Sequence, residues 1–310
     1  MKEKKSQRKK RKLLADSVIG LVGVLIPIIG FVFFNIFPIA VSFGAMFCDM
    51  EYYDIGSMIW NNFQNFSNVF QDARFYKSLG ITFWVAAAQF ISLAIALIVA
   101  ALLKRNRKGS KVFLVLFFIP YICSTVAVAI MWGWIFDWQH GILNSILGTN
   151  INWLNNPVTP STLTWAIIIT IIWQAPGYGI VMYRVAFAAV DPSLYEAASL
   201  DGAGGFSQFL HITLPGVAPT TFFLLMAGIL AGLMTFDAAT ILAPISWTGI
   251  AGQDDMALTL VYYIYVLTGF NAPSYMDMPK ASVISWILFL MTFVFAFSTF
   301  LVRNRRMKNE

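Results

Sequence analysis

The stretch EAASLDGAGGFSQFLHITLP, Glu196 to Pro215, lies between two long apolar runs, and its reading decides the fold. It gathers Glu196, Asp201 and glycines 202, 204 and 205 into one short segment of a chain that is 58% hydrophobic and 12% charged. Just upstream, Asp191 is a good N-cap and Pro192 suits the first helical position. Leu194 to Leu200 are sound helix formers, and Gly202 after Asp201 is placed to stop the helix in the left-handed conformation. A second short helix, FSQFLHI, runs toward Leu214–Pro215, where the next apolar run starts. Small Ala197 and Ala198 let another surface approach, and Glu196 near a helix start meets a favourable dipole. The pattern predicts a rigid, exposed knob tied to two spans. An amphipathic helix lying on a membrane surface is the plainer alternative.

The flanks of the knob explain why it is exposed. An ordinary soluble domain is about 25% charged, and the low charge here predicts an integral membrane protein. A transmembrane helix needs about 20 mostly apolar residues. Ser17–Phe43, Ser78–Leu103, Val112–Phe136, Leu163–Tyr183, Pro215–Leu242 and Ser282–Val302 qualify. The expected fold is therefore all-α, with six transmembrane helices. Prolines 27, 38 and 120 predict kinks inside spans. Residues 1–16 form a basic tail, 17–302 one membrane domain with a loop at about 185–214, and 303–310 a second basic tail. Span one is too long for a signal peptide and ends in no small-x-small site, so it reads as an uncleaved helix.

Lys and Arg set the orientation. Eighteen of the 21 fall in the N-terminal tail, the 104–111 loop, Arg184 and the C-terminal tail, which the six spans place on one side. Arg74, Lys77 and Lys280 fall on the other. Both termini and the Glu196 loop are expected in the cytoplasm. The basic tail reads as a topology signal and a contact for anionic lipid, with no nucleic-acid role.

Several chemistries are missing. No G-x-x-x-x-G-K-[ST] loop exists to cradle ATP. Neither a G-x-S-x-G elbow nor an H-E-x-x-H helix occurs. His140 and His211 are expected on opposite sides, and Cys48 and Cys123 have no metal or redox spacing. The sequence predicts a protein that is not an enzyme, with no metal and no cofactor of its own.

The loop itself closely resembles the EAA loop of permease subunits in binding-protein-dependent ABC importers of the sugar type. The matching residues are Glu196-Ala197-Ala198, Asp201-Gly202-Ala203 and Ile212-Thr213-Leu214-Pro215. NNFQNFSNVFQDARFYKSLGIT (61–82), the span around Pro120, Trp132, Trp134 and Asp137, and TFDAATILAP (235–244) resemble further stretches of that family. The chain departs from it where G-G-P often follows, reading LAPISWTGIAGQDDMA. The resemblance implies a bacterial or archaeal inner (plasma) membrane protein whose loop seats in a separate ATPase. That partner would bind ATP and Mg. A second homologous permease, two ATPase subunits, an extracytoplasmic solute-binding protein and a carbohydrate substrate are implied with it.

Polar residues at membrane depth tend to face the bundle interior. Trp173, Gln174 and Tyr178 in span four, Ser124 and Thr125 in span three, Gln89 in span two, and Thr235 and Asp237 in span five form the candidate substrate path. Read as one helix from Pro215, Asp237 would sit about 33 Å along, near the outer surface. Aromatic faces with amides suit a sugar, and no deep Lys or Arg cluster appears. A glycerol-3-phosphate or polyamine importer is the alternative within the family. An ion-coupled secondary transporter, which would carry midplane acids or broken helices, and a scaffold or sensor are the alternatives outside it. A reporter at Gly204 or Glu310 is expected to read cytoplasm, and one near Asn65 to read outside. Glu310 and Asn65 on the same side would refute the six-span reading.

Overall fold

In the computed structural model, residues 20–103, 109–243, 249–270 and 273–306 are described. The expectations for the basic tail 1–16, residues 17–19 of the first span, most of the 104–111 loop, Pro244 and residues 307–310 of the C-terminal tail fall outside those residues. The chain opens with α1 (Gly20–Ala45), π-helical over Val32–Ile36. A minimal antiparallel ladder follows, β1 (Cys48–Asp49) with β2 (Ile59–Trp60), the one departure from an all-α fold among the described residues. Next come α2 (Gln64–Phe70), α3 (Ala73–Leu102), α4 (Ser110–Ile122), α5 (Thr125–Ile135) and α6 (Ile142–Leu147). Then α7 (Thr162–Gln174) runs almost directly into α8 (Pro176–Ala189). The knob holds α9 (Pro192–Leu200) and α10 (Gly205–Gly216). After it come α11 (Ala218–Leu233), α12 (Asp237–Leu242), α13 (Leu260–Leu267) and α14 (Met278–Arg306).

Four helical stretches are long and apolar enough to cross a membrane: α1, α3, α7 with α8, and α14 to Leu301. The pairs α4–α5 and α10–α11 bring the number to six among the described residues, but they are bent by 100° and 65°. These bends correct the sequence reading. Val112–Phe136 is not one helix: Cys123 and Ser124 are extended, with ψ of 146° and 130°, just after Pro120 has removed a backbone donor. Pro215–Leu242 is not one helix either. It turns at Val217 before Pro219, and α11 stops at Leu233, so the chain re-enters a helix only at Asp237. Asp237 is therefore not carried to the far end of a 33 Å rod. Arg184 lies inside α8 rather than opening a loop, because the fourth span continues to Ala189.

The spine is α3. Its 30 residues would span about 45 Å at about 1.5 Å each, and it packs against α7, α8, α11 and α13. Lipid gives helices no hydrophobic drive to associate, so close backbone approach must supply it. Small residues allow that approach. A Cβ on Gly232 would lie 2.7 Å from Ala86 Cα, and one on Gly179 would lie 2.8 Å from Ala96 Cβ. Two buried clusters result. One, around Val85, Ile167, Leu258 and Ile284, fills the half of the bundle where α3 begins. The other, around Ala100, Tyr183, Phe187 and Val217, fills the half where α3 ends and the knob sits. The outward faces stay apolar: Phe289, Phe293 and Phe297 on α14 are each about half exposed, as expected of a surface facing lipid.

The first turn of α3 is pinned by charge. Asp72 caps the helix through the Arg74 N–H at 2.9 Å, takes the Lys280 ammonium at 2.8 Å and accepts from the Tyr263 hydroxyl. Arg74 Nε binds Asp255 Oδ2 at 2.9 Å, and its guanidinium lies 5.4 Å from the Tyr275 ring centre. Burial would raise the Asp72 pKa, but hydrogen bonds from Lys280, Tyr263 and Arg74 N–H outweigh it and hold the carboxyl below its ordinary range. A depressed folded pKa means the stabilisation is complete above the unfolded pKa, near 3.8, and fades as pH falls through the lower folded value. The two side chains of the Asp72–Lys280 pair are only 15% and 18% exposed, so breaking it by Asp72→Asn or Lys280→Met should cost about 3–5 kcal/mol. The double variant should lose less than the two single losses added together. Thermal unfolding in detergent reads this, and strict additivity would mean the pair contributes nothing.

Candidate coupling loop and substrate cavity

The knob is built by local hydrogen bonds. Asp191 caps α9 through Ser193 N–H at 2.9 Å, and that bond, with one to the Ser193 side chain, lowers the carboxyl's pKa. At the other end Gly202 takes φ +80°. Gly202 N–H reaches Ser199 O at 3.2 Å and Ala203 N–H reaches Ala198 O at 2.8 Å, the paired bonds of a Schellman stop. Gln208 Nε2 then ties the second helix back to Ser199 Oγ at 2.9 Å and Ala203 O at 3.1 Å. Tyr195 OH meets Thr213 Oγ1 at 2.9 Å. The expected FSQFLHI helix is present but irregular, with a π-helical turn over Phe209–Thr213 before Leu214–Pro215.

Of the predicted loop residues, Glu196, Ala197, Asp201, Gly202 and Pro215 are exposed, while Ala198, Ala203 and Leu214 are half-buried. Leu200 is 90% exposed and Phe206 76%. These two large apolar side chains are the most exposed in the knob, with Leu194 and Leu210 exposed to a lesser degree. Such a surface is suited to being covered.

The candidate path residues divide into three groups. Gln89, Thr125, Gln174, Thr235 and Asp237 line one cavity of about 320 Å³. Tyr178 lines a second, of about 220 Å³, which Gln89 shares. Trp173 and Ser124 line neither; Trp173 packs edge-on against Trp132 at 5.8 Å. The helix breaks create this grouping. The α4–α5 bend turns Thr125 inward, and the gap after α11 brings Thr235 and Asp237 to the same wall. The larger cavity therefore offers a carboxylate, two amides, two threonine hydroxyls and the phenol of Tyr121, with no Lys or Arg in its lining. Tyr121 was missed by sequence reading. Its signal was its place directly after Pro120, two residues before the break.

Gln174 has a second task. Its Nε2 reaches Cys123 O at 3.4 Å, beside the last carbonyls of α4, which have no helical partner. Thr259 Oγ1 similarly donates to Thr235 O at 2.8 Å beyond the end of α11.

Residues 92–306 match the family described as binding-protein-dependent transport system inner membrane component. The chain is 31% identical over 295 residues to the probable ABC transporter permease protein YesP of Bacillus subtilis, covering 92% of this chain and 90% of that one. It is 30% identical to the lactose transport system permease protein LacF of Rhizobium radiobacter, over 78% and 80% of the two chains. A bacterial ABC transporter involved in the import of the acidic polysaccharide alginate has the same fold, with a TM-score of 0.74 at 22% identity over 92% and 95%. The chain belongs to the inner membrane component family of binding-protein-dependent transport systems. It is a permease, a transport subunit and not an enzyme.

Removing the Gln174 donor should release the tie between the α4–α5 break and α7, an exposed bond worth about 0.5–1.5 kcal/mol. Gln174→Glu and Gln174→Ala are both expected to impair uptake at matched membrane levels, with Trp173→Ala affecting it less. Normal uptake by both Gln174 variants would remove the residue from the site.

Proposed function

We propose that this permease forms part of the translocation path for a carbohydrate, most simply an oligosaccharide, delivered by an extracytoplasmic binding protein. The lining of the larger cavity carries this reading. Amides, hydroxyls and an aromatic ring match the donors, acceptors and C–H faces of a sugar. A lactose permease among the relatives supports it. An anionic solute such as glycerol-3-phosphate would be matched by Arg or Lys, which the lining lacks. A polyamine would be matched by more than the one acid present.

The knob is the proposed link to a separate ATPase, which binds ATP and Mg. Two such ATPases and a second permease, most simply a different chain, complete the assembly, in the inner or plasma membrane with both termini cytoplasmic. The closed Schellman turn and the clamp by Gln208 make the loop stiff enough to transmit a displacement to α8 and α11. Exposed Leu200 and Phe206 supply an apolar contact, and Glu196, in the middle of α9 rather than near its start as the sequence suggested, an exposed charge.

The test uses the assembled transporter in vesicles, with hydrolysis measured as the binding protein is loaded from a panel of neutral sugars, glycerol-3-phosphate and polyamines. A neutral sugar should stimulate. Gly202→Val should lower ATPase association or stimulated hydrolysis, since a β-branched residue in the left-handed region costs on the order of 1–2 kcal/mol. Nothing lies within 4 Å of a Cβ there, so backbone conformation alone is tested. Glu196→Lys should do the same by reversing a contact charge, whereas a helix merely resting on anionic lipid would tolerate the added Lys. Wild-type coupling in both variants would mean the loop does not transmit.

A further inference from the structure

The two cavities share four lining residues: Gln89, Tyr121, Ala175 and Ala231. On one side of this ring the larger cavity continues along Thr125, Thr235 and Asp237. On the other the smaller continues along Ala96, Tyr178 and Ala227. Going from Gln89 to Ala96 follows α3 toward the knob, and going from Ala231 to Ala227 follows α11 the same way. The cavities are thus two chambers in series along the bundle. At their junction the Tyr121 and Tyr178 rings are stacked, 5.4 Å between centres and 23° between planes.

We propose that the Tyr121–Tyr178 stack is the barrier between the chambers and that the Tyr121 ring is its moving part. This rests on the reading that these cavities line the solute path. The backbone at Tyr121 is fixed from the other side: a Cβ on Gly177 would lie 2.4 Å from Phe117 O and 3.0 Å from Tyr121 Cβ. The end of α4 is therefore seated on α8 at the separation glycine permits, and Gln174 ties the next turn through Cys123 O. With α4 held against α8, the two helices keep their separation and passage opens by rotation of a ring. Tyr121 is 44% exposed, so its ring has space to turn. A sugar face arriving from the larger chamber can replace one ring of the stack, which makes opening follow from occupancy.

Two cysteines report on the chambers, in a background where native Cys48 and Cys123 are serine. Thr125→Cys marks the larger and Ala227→Cys the smaller. The assembled, resting transporter is treated in vesicles of each orientation with a membrane-impermeant cationic methanethiosulfonate. From the knob side, Ala227→Cys should react readily and Thr125→Cys slowly. Adding Tyr121→Ala should speed modification of Thr125→Cys from that side by about tenfold, the scale of a lost aromatic pair. Tyr121→Phe, which keeps the stack, should not. Should Tyr121→Ala fail to assemble, Tyr178→Ala serves, with the same acceleration expected. Equal rates for the two cysteines with both tyrosines present, or no acceleration on removing either ring, would overturn the barrier. The probe is a thiol reagent, so the outcome is independent of whether the solute is a sugar. Failure of the sugar panel with a positive result here would overturn only the solute, and unreactive cysteines from both sides in every background would overturn the path and the barrier together.

Discussion

In a bilayer core no water satisfies a free backbone N–H or C=O, so a span can be broken only where protein or a cavity receives the loose ends. The structure depends on meeting that constraint twice. At Cys123–Ser124 the third span bends by 100° and Gln174 donates to Cys123 O. After Leu233 the fifth span stops, and Thr259 donates to Thr235 O. Both breaks open on the same cavity. What costs backbone hydrogen bonds in one place thus supplies a region of the bundle interior where several polar side chains converge on a cavity.

The two ends of the molecule are held by different means. Where α3 starts, Asp72 and Arg74 connect it to α14 and to the 250–255 turn through ion pairs, and Asp255 Oδ1 in turn accepts from Ile250 and Ala251 N–H at 2.5 and 3.2 Å. Thr82 Oγ1, about two and a half turns along α3, accepts from Leu260 N–H at 2.8 Å at the start of α13. Thr259 next to it holds Thr235. A continuous set of bonds therefore runs from the charged end of α3 to the cavity wall. At the other end the knob is clamped to itself, and it joins the bundle through α8 and α11, both packed on α3. The same long helix receives both.

The knob was legible because its signals are local. An N-cap, a proline at the first position and a glycine at the stop depend on neighbours within a few residues, and each forms as expected. The spans were legible because hydropathy needs no partner. The breaks were not. Whether Cys123 or Met234 leaves the helix depends on Gln174 and Thr259, which lie 51 and 25 residues away in the chain, and no periodicity encodes that. Trp173 and Gln174 looked equivalent as adjacent deep polar residues, yet neighbours on a helix point about 100° apart. One reaches the cavity; the other packs on Trp132. Asn144, seven residues beyond Asp137, organises the 137–153 turn, donating to Trp138 O and Ile151 O and accepting from Trp153 Nε1.

The cations that fall on the less basic side of the chain gain a reason from the same structure. Arg74 and Lys280 are two of the three residues that run against the charge asymmetry, and each is held by an aspartate. They are spent on fixing α3 to its neighbours, with aromatic rings of Tyr275 and Tyr263 beside them. A residue that weakens a topological signal persists where it closes a contact that nothing uncharged would close as well, since Asp255 is buried and Asp72 half-buried, and each needs a partner. The exceptions in the charge pattern and the pinning of the central helix are therefore one fact seen from two levels.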